Sequence, residues 1–251
     1  MEQFSADVFY GIGVLLCLVK HQIKHQTDLP GVVGIREGFL EHVVDACNMI
    51  GLKQSVKAAN RLVEAHRELS EEALRVGIDE LEQRIKDELE DHLFMYIPPA
   101  RARRYHQTEA FGPQVAKNFP SIHFDAWEAG NCFAAGRYTS CVFHLMRAVE
   151  LGLAAFATVF SLTFNHTNWH NIIEIMESKI RDMGHDPNKP NDWKEKQEKY
   201  SQTATNFMIF KDAWRNHTAH ARARYTEEEA DGIYRNVRAF FQRLAADGLG
   251  E

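Results

Sequence analysis

Three observations predict an all-α fold: a C-terminal helical bundle preceded by an N-terminal helical region with a long helical hairpin. Leu74, Ile78, Leu81, Ile85 and Leu89 recur at three- and four-residue intervals with charged residues between them. That spacing puts apolar groups on one face of a 3.6-residue helix. Phe124, Trp127, Phe133, Val142, Leu145, Met146, Val149, Leu153 and Phe156 form a second apolar stripe. Thr226-Glu227-Glu228-Glu229 opens a third helix, which carries Ile233, Val237, Phe240, Phe241 and Leu244 on one side. The Thr226 hydroxyl can accept a free backbone amide there, while Glu229 reaches back to the cap.

Taken in order, the first apolar run, Val8 to Val19, is too short to span a bilayer, which needs about 20 apolar residues. Glu2 and Asp7 precede it, where a signal peptide wants basic residues, so a buried core helix and no membrane association are expected. Gln54 to Leu69 carries Val56, Ala59, Leu62, Val63 and Leu69 at helical spacing. Ser70, followed by Glu71 and Glu72, caps the next helix, which runs to about Leu93, and the two form an antiparallel hairpin. Pro98 and Pro99 end that run, and a short loop-like segment with Arg101, Arg103 and Arg104 follows. The expected organisation is an N-terminal region over 1–105, a connecting segment over 106–120, and the bundle over 121–251. Within the bundle, Gly136 interrupts the stripe. A helix around Asn168 to Arg181 is separated by Gly184, Pro187 and Pro190 from one beginning near Asp192. Short connections between principal helices are the pattern of a bundle.

The chain has 251 residues, 45% hydrophobic and 25% charged, enough for one large or two small domains with ordinary cores. A net charge of −6 argues against a dedicated nucleic-acid coat but leaves room for a local basic site. Cys17, Cys47, Cys132 and Cys141 have no Cys-x2-Cys pairing, so buried free thiols in a reducing, cytoplasmic setting are expected.

The segment Arg215-Asn216-His217-Thr218-Ala219-His220 sets a permanent cation near a titratable imidazole. An arginine fork can hold a phosphate and a histidine can move a proton near neutral pH, the means for phosphodiester chemistry without a metal. The same Arg-x4-His spacing recurs at Arg61/His66 and Arg101/His106, so spacing alone decides nothing. Inside a continuous helix, five residues turn about 140° and point the two side chains apart, as expected for Arg61 and His66. The third copy lies where the apolar periodicity of Phe207, Ile209, Phe210 and Trp214 stops.

Cys132-Phe133-Ala134-Ala135-Gly136-Arg137-Tyr138, leading into Phe143-His144-Leu145-Met146-Arg147-Ala148-Val149-Glu150, resembles the paired early helices of the HEPN (higher eukaryotes and prokaryotes nucleotide-binding) superfamily. The Arg215 to His220 segment, Tyr225, Ala230, Ile233 and the aromatic-rich last helix are similar to its final two helices. The resemblance covers about residues 121–246 and not the N-terminal half. It implies a polar residue directly after the motif arginine, a place that Asn216 fills, whereas Leu62 and Ala102 follow the other two.

What the resemblance implies is a metal-independent endoribonuclease, of the kind found among toxins and antiviral defence effectors, whose site is assembled across a homodimer. Arg215 would grip the scissile phosphate of an RNA, and His220 would move a proton to or from the ribose 2′-hydroxyl or leaving oxygen. Products would be a 2′,3′-cyclic phosphate and a 5′-hydroxyl. Asn216 would orient the pair, Glu150 and His217 would support it, and Arg222 and Arg224 stand beside it for the RNA backbone. A toxin branch of the family has a tyrosine two residues after the histidine, where this chain has Arg222. The alternative is a non-catalytic HEPN bundle that binds a nucleotide, a nucleic acid or a partner protein, docking through the N-terminal helices. Arginine and histidine at a helix C-terminus also serve as plain caps for its carbonyls.

No cofactor is expected. His21/His25, His166/His170 and His217/His220 could each offer two metal ligands, but none has a third at recognisable zinc spacing, so no metal site is predicted. A short basic loop such as Arg101, Arg103 and Arg104 with Tyr105 is expected to be solvated, with an RNA contact as the alternative.

Overall fold

The structure is a computed structural model that describes residues 10–14, 16–17, 20, 32–164, 168–187, 189–215 and 224–251. Among these every regular element is helical, and the all-α class is what the structure has. The chain divides into two compact units, Met1–Phe94 and Met95–Glu251.

The first unit contains α1 (Val32–Ile50), α2 (Lys53–Ala65) and α3 (Glu71–Glu90), packed in succession. Gly51, at φ 82°, closes α1 with the Leu52 amide on the Cys47 carbonyl, the left-handed stop that glycine adopts without a Cβ clash. Ser70 caps α3 by accepting from the Ala73 amide, as its sequence predicts. No side chain caps α2 from Leu52. Glu88, near the end of α3, takes over that role: one carboxylate oxygen accepts from Gln54 N (2.9 Å), the other from Ser55 N and Oγ (both 2.6 Å). A carboxylate on free N-terminal amides complements the helix dipole, and it ties the hairpin's open end. Both hairpin helices are shorter than the periodicity implied. After Ala65 the chain turns, and α3 stops at Glu90, leaving Leu93 fully exposed. Residues 10–14, 16–17 and 20 are helical; Ile12 and Leu16 are buried as expected for a core helix, while Tyr10 and Cys17 are exposed.

The second unit is built on α7 (Tyr138–Thr158), after α4 (Pro99–Ala102), α5 (Pro113–Asn118), a 3-10 turn (Pro120–Ile122) and α6 (His123–Ala134). It is completed by α8 (Trp169–Asp182), α9 (Trp193–Phe210), a π-helical turn (Lys211–Arg215) and α10 (Glu227–Ala246). Helix α7 is apolar around most of its circumference, and α6, α9 and α10 pack on it. It is the one described helix long and apolar enough to cross a membrane; here the same property makes it the central core helix. The α6–α7 turn rests on Gly136 at φ 72°, with the Arg137 amide on the Cys132 carbonyl. Thr226 and Glu229 form the reciprocal capping box predicted for α10.

Residues 106–120, expected as a connecting segment, belong to the bundle. Phe111, Val115 and Phe119 are buried, and the rings of Phe111 and Phe119 lie 5.9 and 5.3 Å from that of Phe241. Apolar residues spaced for one short helix and a turn carry no long periodicity, which is why the sequence reads as a linker there. Arg104 is neither solvated nor available to RNA: its guanidinium lies 4.1 Å from the Phe133 ring centre and 4.5 Å from that of Tyr234, and it pairs with Asp231. Arg101 donates to the Tyr138 hydroxyl (2.9 Å).

Gly130 permits this arrangement, because a Cβ there would sit 2.6 Å from the Arg104 carbonyl oxygen, a backbone atom. Gly232 in α10 has nothing within 4 Å. Gly130→Ala is therefore expected to lower stability by about 1–3 kcal/mol through overpacking. Gly232→Ala should raise it by about 0.5–1 kcal/mol through helix propensity. Parallel urea denaturation checks both, and a gain for Gly130→Ala would contradict the close approach.

Candidate functional site

The Arg215 motif begins where α9 leaves α-helical geometry. The backbone of Lys211–Arg215 forms the π-helical turn, which packs on α9 and on α7. Such turns widen a helix by one residue and recur at functional sites. Asn216, His217, His220 and Arg222 lie outside the described residues, as does the Arg215 side chain. Beyond that gap the Tyr225 amide donates to Thr139 Oγ1 (3.2 Å), anchoring the start of α10 to the start of α7. Arg224 is exposed. Glu150 is on the helix that backs the π-helical turn, and its Oε1 accepts from Trp169 Nε1 (3.0 Å), a bond that holds α8 to α7.

The other two Arg-x4-His copies serve the fold. Arg61 is exposed while His66 is buried with Nδ1 at 2.6 Å from the Val63 carbonyl, so the pair points apart as the helical geometry predicts. Arg101 binds Tyr138, and His106, at φ 53°, donates its amide to Asn131 Oδ1 (2.9 Å). Of the histidine pairs, His21/His25 and His217/His220 lie outside the described residues, as does His166; His170 pairs with Glu174 at 3.2 Å.

A groove of about 260 Å³ adjoins the π-helical turn, between α9 and α10. Phe210, Trp214 and Phe240 supply its aromatic lining, and Asn206, Asn236 and Arg243 its polar groups. Phe210 packs 5.4 Å from Trp214 and 5.1 Å from Phe240, which fixes the Trp214 ring. Aromatic faces beside amides and a guanidinium suit a flat heteroaromatic ring, stacked on one side and hydrogen-bonded at its edge. A larger cavity, about 420 Å³, lies in the first unit. Ile12, Leu16, Ile50, Leu52, Ile85 and Leu89 line it, and its lysines are held in ion pairs with Asp79 and Glu82, so it offers little chemistry.

A further polar cluster, not singled out in the sequence, sits between α6 and α7. Asp125, Glu128 and Cys132 are spaced i, i+3, i+7 on one face of α6; His144 and Arg147 are i, i+3 on α7. Asp125 is buried, and one of its oxygens takes both His144 Nδ1 (2.8 Å) and Arg147 Nε (2.9 Å). Burial alone would push its carboxyl up; the His144 and Arg147 hydrogen bonds and charges outweigh that and hold it below the usual 3.8. Glu128 Oε2 accepts from Asn131 Nδ2 (3.2 Å), and Oε1 faces Cys132 Sγ at 3.7 Å. Ligand atoms of Glu128, Cys132 and His144 all lie within 4.8 Å of one another. Burial, with the Glu128 charge beside it, pushes the Cys132 thiol up to about 11. That argues against Cys132 as a nucleophile, since the reactive species is the thiolate. Helical spacing on α6, paired across the Gly136 turn with α7, is the signal that could have found this cluster.

The four cysteines are free: Cys47, Cys132 and Cys141 are buried as expected, whereas Cys17 is exposed. No family model matches the chain, and no curated protein or solved structure matches it either.

A carboxyl held below its usual value stabilises the fold above pH 4, and that contribution is lost as pH falls through 3.8 toward the lowered native value. Asp125→Asn should therefore cost about 1–3 kcal/mol at pH 7 and almost nothing near pH 2. Urea titrations across pH 2–7 measure the difference, which should close on acidification; a pH-independent loss would mean that the charge of Asp125 is not what stabilises α6 against α7.

Proposed function

We propose that the bundle formed by residues 95–251 is a metal-independent endoribonuclease of the HEPN type. Arg215 binds the scissile phosphate, His220 transfers the proton of the ribose 2′-hydroxyl or of the leaving oxygen, and Asn216 orients them. The observation that carries this reading is the position of Arg215: it closes a π-helical turn directly beside a groove lined by Trp214, Asn206, Asn236 and Arg243. A base stacked on Trp214 would have its own phosphate near the π-helical turn that ends at Arg215. The homodimer implied by the HEPN resemblance brings two such motifs together, so that an RNA strand meets a pair of arginines and histidines. Glu150 and His217 support the site in this scheme, and Arg222 and Arg224 hold the flanking backbone.

Charge is consistent with an RNA ligand once it is divided between the units. Residues 1–94 carry 10 Lys and Arg against 17 Asp and Glu, whereas residues 95–251 carry 19 against 18. The negative balance belongs to the first unit, and the second is close to neutral with arginines grouped near the motif. A partner protein bound by the N-terminal helices, and a toxin or defence role in the cytoplasm, fit the same scheme.

One observation favours a second reading, in which the bundle binds RNA or a nucleotide without cleaving it. The described lining of the groove holds no group that titrates near neutral pH. Catalysis then depends wholly on His217 and His220.

Pure protein in excess chelator should cleave RNA to 2′,3′-cyclic-phosphate ends, and Arg215→Ala or His220→Ala should lower the rate by about 10²–10⁴-fold. Equal cleavage by all three proteins sinks the assignment, and binding without cleavage by the parent protein selects the second reading. Trp214→Ala should weaken RNA affinity by about 1–3 kcal/mol, read by fluorescence anisotropy with a short single-stranded RNA. Unchanged affinity would remove the groove from the site.

A further inference from the structure

We propose that Glu128, Cys132 and His144 form a binding site for a zinc-class divalent cation at the α6–α7 interface. It is separate from the ribonuclease reading and does not depend on it. The three side chains come from two helices joined by the Gly136 turn and packed on one another, and they converge with their ligand atoms all within 4.8 Å. In a tetrahedral zinc site, bonds of about 2.0–2.3 Å hold ligand atoms roughly 3.5 Å apart. Closing the present cluster to that size takes a shift of about an ångström per ligand atom. A thiol, an imidazole and a carboxylate together select a borderline-soft cation over magnesium or calcium, which take oxygen ligands.

Orientation of the ligands is the second line of argument. Imidazole binds a metal through one nitrogen while the other donates to a carboxylate, which fixes the tautomer and raises the basicity of the ligand. Asp125 does this for His144: its buried oxygen accepts from Nδ1, so Nε2 keeps its lone pair free for the cation. Arg147 holds Asp125 in turn. On the other side, Asn131 engages one oxygen of Glu128 and leaves the second facing Cys132 Sγ. Each of these two ligands therefore has its own orienting partner, the arrangement that metal sites require and that a surface ion pair does not.

Exposure fits access by an ion. Cys132 is buried, whereas 19% of the His144 side chain reaches solvent and Glu128 is half-buried, so an ion can enter past the imidazole. On binding, the Cys132 S–H bond breaks, its proton goes to solvent, and the thiolate, histidine and glutamate supply three ligands. The fourth position faces the half-open side and is left to water, as in zinc sites that retain an exchangeable ligand.

The test uses the full chain, stripped with chelator under a non-thiol reductant and titrated with Co²⁺ as the spectroscopic probe. The expected result is uptake of a single equivalent, with a thiolate-to-cobalt charge-transfer band and tetrahedral visible bands, all displaced by Zn²⁺. Cys132→Ser should abolish the charge-transfer band, and His144→Gln should weaken Co²⁺ affinity at least tenfold. Cys17→Ser, at the exposed thiol, should leave both unchanged. Asp125→Asn should lower affinity about 10–100-fold while keeping the stoichiometry, the size expected for an orienting partner. Circular dichroism establishes that each variant folds; if Cys132→Ser does not, protection of Cys132 from alkylation by Zn²⁺, read by peptide mass spectrometry on the parent protein, replaces it. Absence of the band in the parent, its persistence in Cys132→Ser, its loss in Cys17→Ser, or no protection of Cys132 would each overturn the proposal. None of these readouts involves RNA, so a failed ribonuclease assay leaves them untouched.

Discussion

The second unit depends on the burial of α7. Cys141, Val142, Leu145, Ala148, Val149, Leu153 and Ala157 are fully buried, and they spread over about half the circumference of one helix. A helix with this composition is stable in water only if neighbours surround it, and each fully buried large side chain contributes about 1.5–3 kcal/mol. The other elements are arranged to meet that demand. Helix α6 covers one side through the Gly136 turn. Helices α9 and α10 bring Phe207, Phe240 and Phe241 against others, with Phe207 and Phe240 in edge contact at 5.0 Å and Phe207 stacked at 5.8 Å on Phe156 of α7 itself. The segment before α6 adds Phe111 and Phe119, so even the chain leading into the bundle is recruited as cover.

This constraint also positions the chemistry. The π-helical turn ends α9 against α7, and the next described residues start α10 from an anchor on α7, so the described residues on both sides of the motif are tied to that central helix. The Asp125 cluster lies along the same helix, where α6 and α7 meet near solvent. A buried carboxylate is costly unless it is paired and hydrogen-bonded. Asp125 meets that condition with an imidazole and a guanidinium, both from α7, so the polar contact fixes the register of the two helices that the apolar contacts hold together.

Helix type and most helix starts were legible in the sequence, because the signals are local. Ser70, and Thr226 with Glu229, each cap the helix that their spacing announced, and Asn168, not singled out as a cap, closes the start of α8 in the same way. Ends were less legible. Leu89 and Leu93 continue the apolar spacing of α3, yet Leu93 has no surface to cover it and lies beyond the last turn. The segment over 106–120 reads as a connector because Gly112, Pro113 and Pro120 break it up although Phe111, Val115 and Phe119 keep four-residue spacing, and only the tertiary fold reveals that Phe111 and Phe119 pack on Phe241 of α10. Arg104 was hidden for the same reason: a run of arginines looks basic and solvated until Phe133 and Tyr234, distant in sequence, close over one of them. The Glu128, Cys132 and His144 cluster shows the limit most clearly. Its α6 half follows helical spacing, but its ligand set needs a residue from the next helix, and a search for metal spacing within one segment passes over it.

The two sites ask opposite things of their surroundings. Phosphodiester cleavage through a 2′-hydroxyl needs positive charge at the phosphate and a histidine free to titrate near neutral pH. The α6–α7 cluster has two carboxylates, a histidine whose Nδ1 is committed to Asp125, and a thiol pushed up to about 11. Arg147 is committed to Asp125 there, and in the proposed site a cation would relieve the repulsion between Glu128 and an ionising Cys132. The arginine-rich, carboxylate-poor sequence from Arg215 to Arg224 has the reverse character. The cluster takes its α7 residues from the first half of the helix, at His144 and Arg147, and sits on the α6 side, while the π-helical turn packs on α9 and α7.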